Sequence, residues 1–191
     1  MTQVTRWVIK ETTAMIQRLN LCQNGLVISI NVSTRDLTEL DFVSFMRNTV
    51  TNIDPQCLQL KITETGLIDD SERALYVLSK MNDLGISCSV DDFGTGNSSL
   101  SYLSKFPVAE IKLDRSYVFD IANNERNHKI VQSTIEMAHM LGLSATAEGV
   151  EEHDTVAILR TMKCETIQGY VLSRPISEQD LVAFLNTNPQ L

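Results

Sequence analysis

The chain is sparing with proline: four residues among 191, none of them grouped, and no low-complexity stretch breaks the sequence. Nothing marks a linker, so one domain over residues 1–191 is the simplest expectation. Positive charge is scarce as well. Sixteen Lys and Arg face 24 Asp and Glu, for a net charge of −8. That balance excludes the basic footprint of a protein that grips a nucleic acid polymer or an anionic membrane. Long apolar runs are missing, and the N-terminal MTQVTRWVIKETTAMIQRL lacks the form of a signal peptide, so neither a membrane span nor export is expected. The four cysteines, Cys22, Cys57, Cys88 and Cys164, contain no C-x-x-C pair. Reduced thiols in a cytoplasmic protein are the economical expectation. His128, His139 and His153 stand apart from one another and form no ligand cluster. What the chain does have is 43% hydrophobic residues, enough for a sizeable core.

Those apolar residues fall into alternating periods. Val4, Trp7, Val8, Met15, Ile16 and Leu19 suit an amphipathic helix. LVISINVS (26–33) then reads as a strand, DFVSFMRNTV (41–50) as a helix and LQLKITET (58–65) as a second strand. Ser71 is placed to cap a helix with Ala74, Leu75, Leu78 and Met81 on one stripe and Gly85 as its stop. ISCSVDD (86–92) is a strand, followed by a Gly/Ser turn and a short helix near LSYLSKF. EIKLDRSY (110–117) is a strand, and a helix around 125–142 is expected to bury Val131, Ile135, Ala138 and Leu141. A strand at 143–150, a helix at 153–162, a strand at 166–172 and a last helix capped at Ser177 complete the series. Six strands alternating with helices predict parallel pairing and an α/β architecture.

Strand parity chooses between two such architectures. Ser29 and Asn31 oppose Ile28 and Ile30; Gln59, Lys61 and Thr63 oppose Leu60 and Ile62. Ser87, Ser89 and Asp91 oppose Cys88 and Val90. Lys112, Thr146, Glu148 and Gln168 likewise oppose aliphatic neighbours. A doubly wound sheet, covered on both faces, favours near-continuous apolar strands. A (β/α)8 barrel has helices only outside and tolerates a polar interior whose groups are satisfied. The parity favours a barrel, and Asn31, Lys61, Asp91, Lys112, Glu148 and Gln168 fall near the carboxyl ends of their strands, where barrel chemistry sits. Taken singly, each is explained by solvation or by capping of the next helix; six on one parity are not. Adjacent carboxylates at Asp91 and Asp92 repel, which a divalent cation relieves; the plainer role is a turn in which Asp92 accepts from backbone amides. FGTGNSS lacks the spacing of a nucleotide P-loop. Its glycines fit a tight turn, with Ser98 or Ser99 capping the next helix.

The motifs DDFGTGNSSLSYL, KLDRSYV, AEGVE and QGYVLSRP, in this order and with INVS and ITET before them, resemble the EAL domain, the bacterial cyclic di-GMP phosphodiesterase. The resemblance implies a modified TIM (β/α)8 barrel with one strand reversed, here incomplete with about six parallel strands. It also implies two Mg²⁺ or Mn²⁺ ions and a water that opens cyclic di-GMP to linear pGpG. On that resemblance Asn31 and Asp91 match ligands of one ion, while Asp91, Asp92 and Glu148 match ligands of the other. Lys112 matches the lysine that orients water or phosphate, Gln168 a glutamine of the same network, and Glu64 the glutamate that holds the loop after Asp92. Glu151 matches a further acidic position.

Two departures count against full activity. The namesake Glu-Ala-Leu strand and the strand before it have no counterpart in this sequence, and with them go a metal-binding glutamate and a phosphate-contacting arginine. Further, the family motif Glu-x-Thr-Glu reads Lys61-Ile62-Thr63-Glu64 here, so a lysine occupies a metal-ligand position. An ammonium offers three donors and no acceptor, so it cannot ligate Mg²⁺. Lys61 is expected to replace the first ion as an internal cation, which leaves at most one weakly held metal. Three readings stay open: an impaired or inactive phosphodiesterase, a non-catalytic module that senses cyclic di-GMP or mediates dimer contacts, and an active enzyme shortened at its boundary. Open strand edges predict a homodimer or a covering helix. A flanking sensory or diguanylate-cyclase-like domain fits the resemblance.

Overall fold

The computed structural model describes residues 3–95 and 103–187. The chain divides into two compact units, Met1–Ile111 and Lys112–Leu191, and each is built from strands alternating with helices.

The first unit opens with α1 (Gln3–Leu19). Ile9 and Ile16 are buried, whereas Val4 and Trp7 are 68% and 63% exposed, so the buried stripe is narrower than the apolar pattern suggests. After β1 (Ile28–Asn31) comes a helix the apolar pattern does not announce, α2 (Thr34–Thr38). Ser33 and Asp36 form its capping box, the reciprocal arrangement that satisfies two free backbone donors. Then come α3 (Phe42–Thr49), β2 (Leu58–Thr63), α4 (Glu64–Asp69), α5 (Ser71–Asp83) and β3 (Ser87–Phe93). The strand expected over 58–65 thus ends two residues early, because Glu64 starts a helix. Asp70, rather than Ser71, caps α5 by accepting from the Arg73 amide at 3.2 Å. On α5, Val77 joins Ala74, Leu78 and Met81 in the core while Leu75 is 38% exposed.

β1 pairs with β2 and β2 with β3, both parallel, with Asn31 opposite Lys61 and Lys61 opposite Ser89. Along β2 the alternation is clean: Leu58, Leu60 and Ile62 are buried, and Gln59, Lys61 and Thr63 face the other way. Below the site a short polar chain satisfies that face. Ser29 donates to Gln59 Oε1 at 2.7 Å, and Gln59 Nε2 donates to the buried Glu110 at 2.8 Å.

β4 (Glu110–Leu113), buried throughout, crosses the boundary between the units. Its sequence leaves the strand at Asp114, which caps the short helix α6 (Arg115–Val118); the expected strand to 117 is shorter for this reason. The second unit continues with α7 (Glu125–Met140), β5 (Ser144–Glu148), α8 (His153–Thr161), β6 (Thr166–Gln168) and α9 (Glu178–Asn186). β5 and β6 are parallel. Val131, Ile135 and Ala138 fill the core beneath α7. Leu141, expected there too, lies past the helix end and is 37% exposed. Ser177 caps α9 as expected. The turn and helix start expected at Ser98 or Ser99 fall outside the described residues.

The cysteines correct one expectation. Cys22 and Cys57 form a disulfide, with Cα atoms 5.4 Å apart. Their separation of 35 residues hid the pairing; tertiary structure brings the turn after α1 to the turn before β2, where the parallel pair begins. Cysteine spacing is therefore no argument for a reducing compartment. Cys88 is buried and unpaired, and burial pushes its thiol up to about 12, which makes it inert at neutral pH. Among the described residues no helix is long and apolar enough to cross a membrane.

Closing a loop of this length restricts the unfolded chain, so Cys22→Ser should lower the unfolding free energy by about 2–4 kcal/mol. Urea denaturation of the oxidised protein, its reduced form and the variant measures this, and coincident midpoints would contradict it.

Candidate ligand and metal site at the strand ends

In the first unit, the carboxyl ends of β1, β2 and β3 surround a cavity of about 470 Å³. Asn31, Lys61, Asp91 and Asp92 all line it, together with Thr5, Ser33, Thr63 and Asp36. Strand geometry explains most of this. Asn31 and Lys61 share a register level, and Asp91 stands one inward step higher, opposite Thr63. Two residues of strand rise about 6.6 Å, and the four-carbon stem of lysine covers that height. Lys61 Nζ thereby reaches Asp91 Oδ1 at 3.2 Å, with both side chains nearly buried at 11% and 13% exposure.

Asp92 needs a different explanation. Strict alternation would turn it away from Asp91. Its φ of 54° lies in the left-handed region, which aspartate visits more readily than most residues. The chain swivels there, and both carboxylates line the same cavity.

Asp36 is a carboxylate in this cavity that pattern reasoning missed. It is almost fully buried, and its Oδ2 accepts from the Ser33 amide at 3.1 Å, the Ser33 hydroxyl at 2.7 Å and Thr5 at 3.0 Å. Those bonds tie α1 to the start of α2 and commit the carboxylate to structure. The Ser-x-x-Asp spacing at 33–36 is the signal that could have found it. Glu64, also buried, accepts from the Gly94 amide at 3.1 Å through Oε2, so it holds the backbone two residues after Asp92. Its Oε1 is buried without a hydrogen bond.

In the second unit, Lys112, Glu148 and Gln168 meet. Lys112 is buried, its Nζ 3.7 Å from Glu148 Oε1 and 3.5 Å from Gln168 Oε1. Two glycines hold the loops that carry these residues. Gly149 has φ +70°, and a Cβ there would come within 2.3 Å of Arg115 Cγ. The Arg115 stem crosses over Gly149, and its guanidinium reaches Glu151 Oε1 at 2.7 Å. Glu151 is thus engaged with Arg115 on the surface of the loop after β5. Gly169 presses against Val150, whose backbone a Cβ would meet at 2.0 Å. Val150 N–H donates to Gln168 O at 3.0 Å, which stitches the loop after β5 to the end of β6.

The divalent ions implied by the resemblance can be tested against these residues. Asp91 Oδ1 is buried, no aligned hydrogen bond reaches it, and the group facing it is the Lys61 ammonium. A cation already sits against the oxygen a first metal would need, and position 61 supplies no acceptor. The first ion does not fit. The carboxylates of Asp91, Asp92 and Glu148 are hard oxygen donors of the kind Mg²⁺ and Mn²⁺ take, so the donor set assigned to a second ion fits chemically.

Comparison with known proteins gives a consistent answer. The family model described as EAL domain matches residues 1–175. The cyclic di-GMP phosphodiesterase NbdA of Pseudomonas aeruginosa is 35% identical over 186 residues, which cover 96% of this chain and 24% of that protein. Among solved structures, the EAL domain of Mycobacterium smegmatis DcpA superposes with a TM-score of 0.91 at 31% identity, over 99% of this chain and 86% of that one. The PaMucR phosphodiesterase in complex with c-di-GMP superposes with a TM-score of 0.88 at 30% identity, over 94% of this chain and 74% of that one. The fold is accordingly that of EAL barrels, with six parallel strands in this chain. The chain spans about a quarter of the length of the first curated relatives it matches.

The crossing at Gly149 is testable by itself. Gly149→Ala should destabilise the protein by about 1–3 kcal/mol, through both the positive φ and the clash. Combining it with Arg115→Ala should recover only part of the clash, because the Cβ that alanine keeps at 115 still lies 2.7 Å from the added methyl. Thermal unfolding of the single and double variants checks this, and a Gly149→Ala protein as stable as wild type would contradict the geometry.

Proposed function

Because the chain belongs to the EAL domain family, we propose that it is a cyclic di-GMP phosphodiesterase domain in which Lys61 impairs hydrolysis. The observation that carries this reading is the ammonium 3.2 Å from Asp91 Oδ1, within a cavity also lined by Asn31 and Asp92. The family is divalent-metal dependent; bound ions activate a water and stabilise charge on attacking and leaving oxygens. With position 61 a donor, two-ion hydrolysis lacks one of its sites. Asp91 and Asp92 would serve a single Mg²⁺ or Mn²⁺. Lys112, beside Gln168, would direct its ammonium at a phosphate oxygen or water, and Glu64 would keep the chain after Asp92 in place.

A second reading, a cyclic di-GMP-sensing module without turnover, is favoured by what the cavity retains: the Lys61 ammonium and the polar side chains of Asn31, Ser33 and Thr63. Both readings place the domain in the cytoplasm, where the Cys22–Cys57 pair would be under reducing pressure. The greater length of the curated relatives supports flanking domains of sensory or diguanylate-cyclase type. We also infer a homodimer. β1 has β2 alone as a hydrogen-bonded partner among the described residues, and its Ser29 and Asn31 are exposed, so its free edge can pair with another chain.

Release of pGpG from cyclic di-GMP with Mn²⁺ is expected to be slight or absent, and brisk turnover that disappears in Asp91→Ala would refute the impairment. Light scattering should give twice the mass of the chain; a monomer at every concentration would refute the dimer.

A further inference from the structure

Position 61 also sets how the cavity meets an anionic ligand, an inference that rests on the cyclic di-GMP reading above. Two inward carboxylates, Asp91 and Asp92, share the cavity with one ammonium, while the third acid, Asp36, is occupied by Ser33 and Thr5. Exchanging a carboxylate for an ammonium at one position changes the local charge by two units, as much as binding one divalent cation. A cavity with glutamate at 61 would therefore need a divalent ion to reach the charge that this cavity has by covalent structure alone. Position matters as much as charge. Lys61 projects from the middle of a strand paired on both sides, and its head group lies against Asp91 Oδ1, the buried oxygen that no hydrogen bond satisfies. Asp91 is therefore held and partly neutralised without any ion.

We propose that the Lys61 ammonium takes the place of a divalent cation in this cavity, so that the chain binds the phosphodiester of cyclic di-GMP without metal. The phosphate meets a fixed ammonium supported by the polar groups of Asn31, Ser33 and Thr63. The cavity's volume of about 470 Å³ falls within the range of small-ligand sites. Because this cation is part of the chain, ligand binding does not require metal. Lys61→Glu converts the site into one that does.

Calorimetric titration of cyclic di-GMP into the full chain, in chelator and in excess Mg²⁺, tests this. Wild type should bind with the same affinity in both buffers. Lys61→Glu should bind at least about tenfold more weakly in chelator and recover with Mg²⁺, since one opposed charge at close range readily outweighs a tenfold factor. Added Mn²⁺ alone should raise the melting temperature of Lys61→Glu more than that of wild type. Should Lys61→Glu fail to fold, Lys61→Met, which removes the charge but keeps most of the stem, must show the same loss in chelator. Wild-type binding only with Mg²⁺ would overturn this inference and leave the family ligand in place, whereas no binding in either buffer would overturn both. Equal affinity of wild type and the variants in chelator would overturn the role of Lys61.

Discussion

One ion pair organises the site in the first unit. Asp91 is nearly buried at the end of β3, and a carboxylate in that position needs a counter-charge, because desolvation without one costs several kcal/mol. Lys61 provides it from a neighbouring strand. The pair can form because β2 and β3 are parallel in a register that sets Lys61 one level below Asp91, a gap that a lysine stem spans. A buried pair of this kind is weak evidence for stability in general, but breaking it by removing one partner leaves a buried charge uncompensated. The charge of this site therefore turns on position 61.

The remainder of the polar interior obeys the same requirement at lower stakes. Ser29, Gln59 and Glu110 satisfy one another in sequence, Asp36 is spent on a capping box, and Lys112 sits between Glu148 and Gln168. Ser89 Oγ, like Glu64 Oε1 and Asp91 Oδ1, is buried without a hydrogen bond. Two glycines let the loops that present Glu148 and Gln168 pack closely. Gly149 admits the Arg115 stem, and Gly169 admits the backbone of Val150, so the positions of Glu148 and Gln168 depend on two residues that carry no functional group.

Much of this is legible in the order of residues. Alternation along LQLKIT announces a strand with Lys61 on its polar side, and the same parity across six segments distinguishes a barrel interior from a doubly wound sheet. The segments that mislead are those where a strand gives way at once to a short helix, at Glu64 and at Arg115. There a polar residue that is compatible with a strand end is also a good helix start, and four to six residues are too few for a helical period to show. The stripe on α1 misleads in another way, because apolar content at Val4 and Trp7 does not by itself bury a residue.

The sequence alone determined the strand and helix order, the shared parity of Asn31, Lys61, Asp91, Lys112, Glu148 and Gln168, and the presence of an ammonium at position 61. These are local properties, set by side-chain period and by the chemistry of single residues. Only the tertiary structure decided that Cys22 joins Cys57, that a left-handed turn brings Asp92 to the same cavity as Asp91, and that Glu151 is held by Arg115. Each of those depends on which distant segments pack together or on a backbone angle at one residue, and neither is written in a pattern of neighbours along the chain.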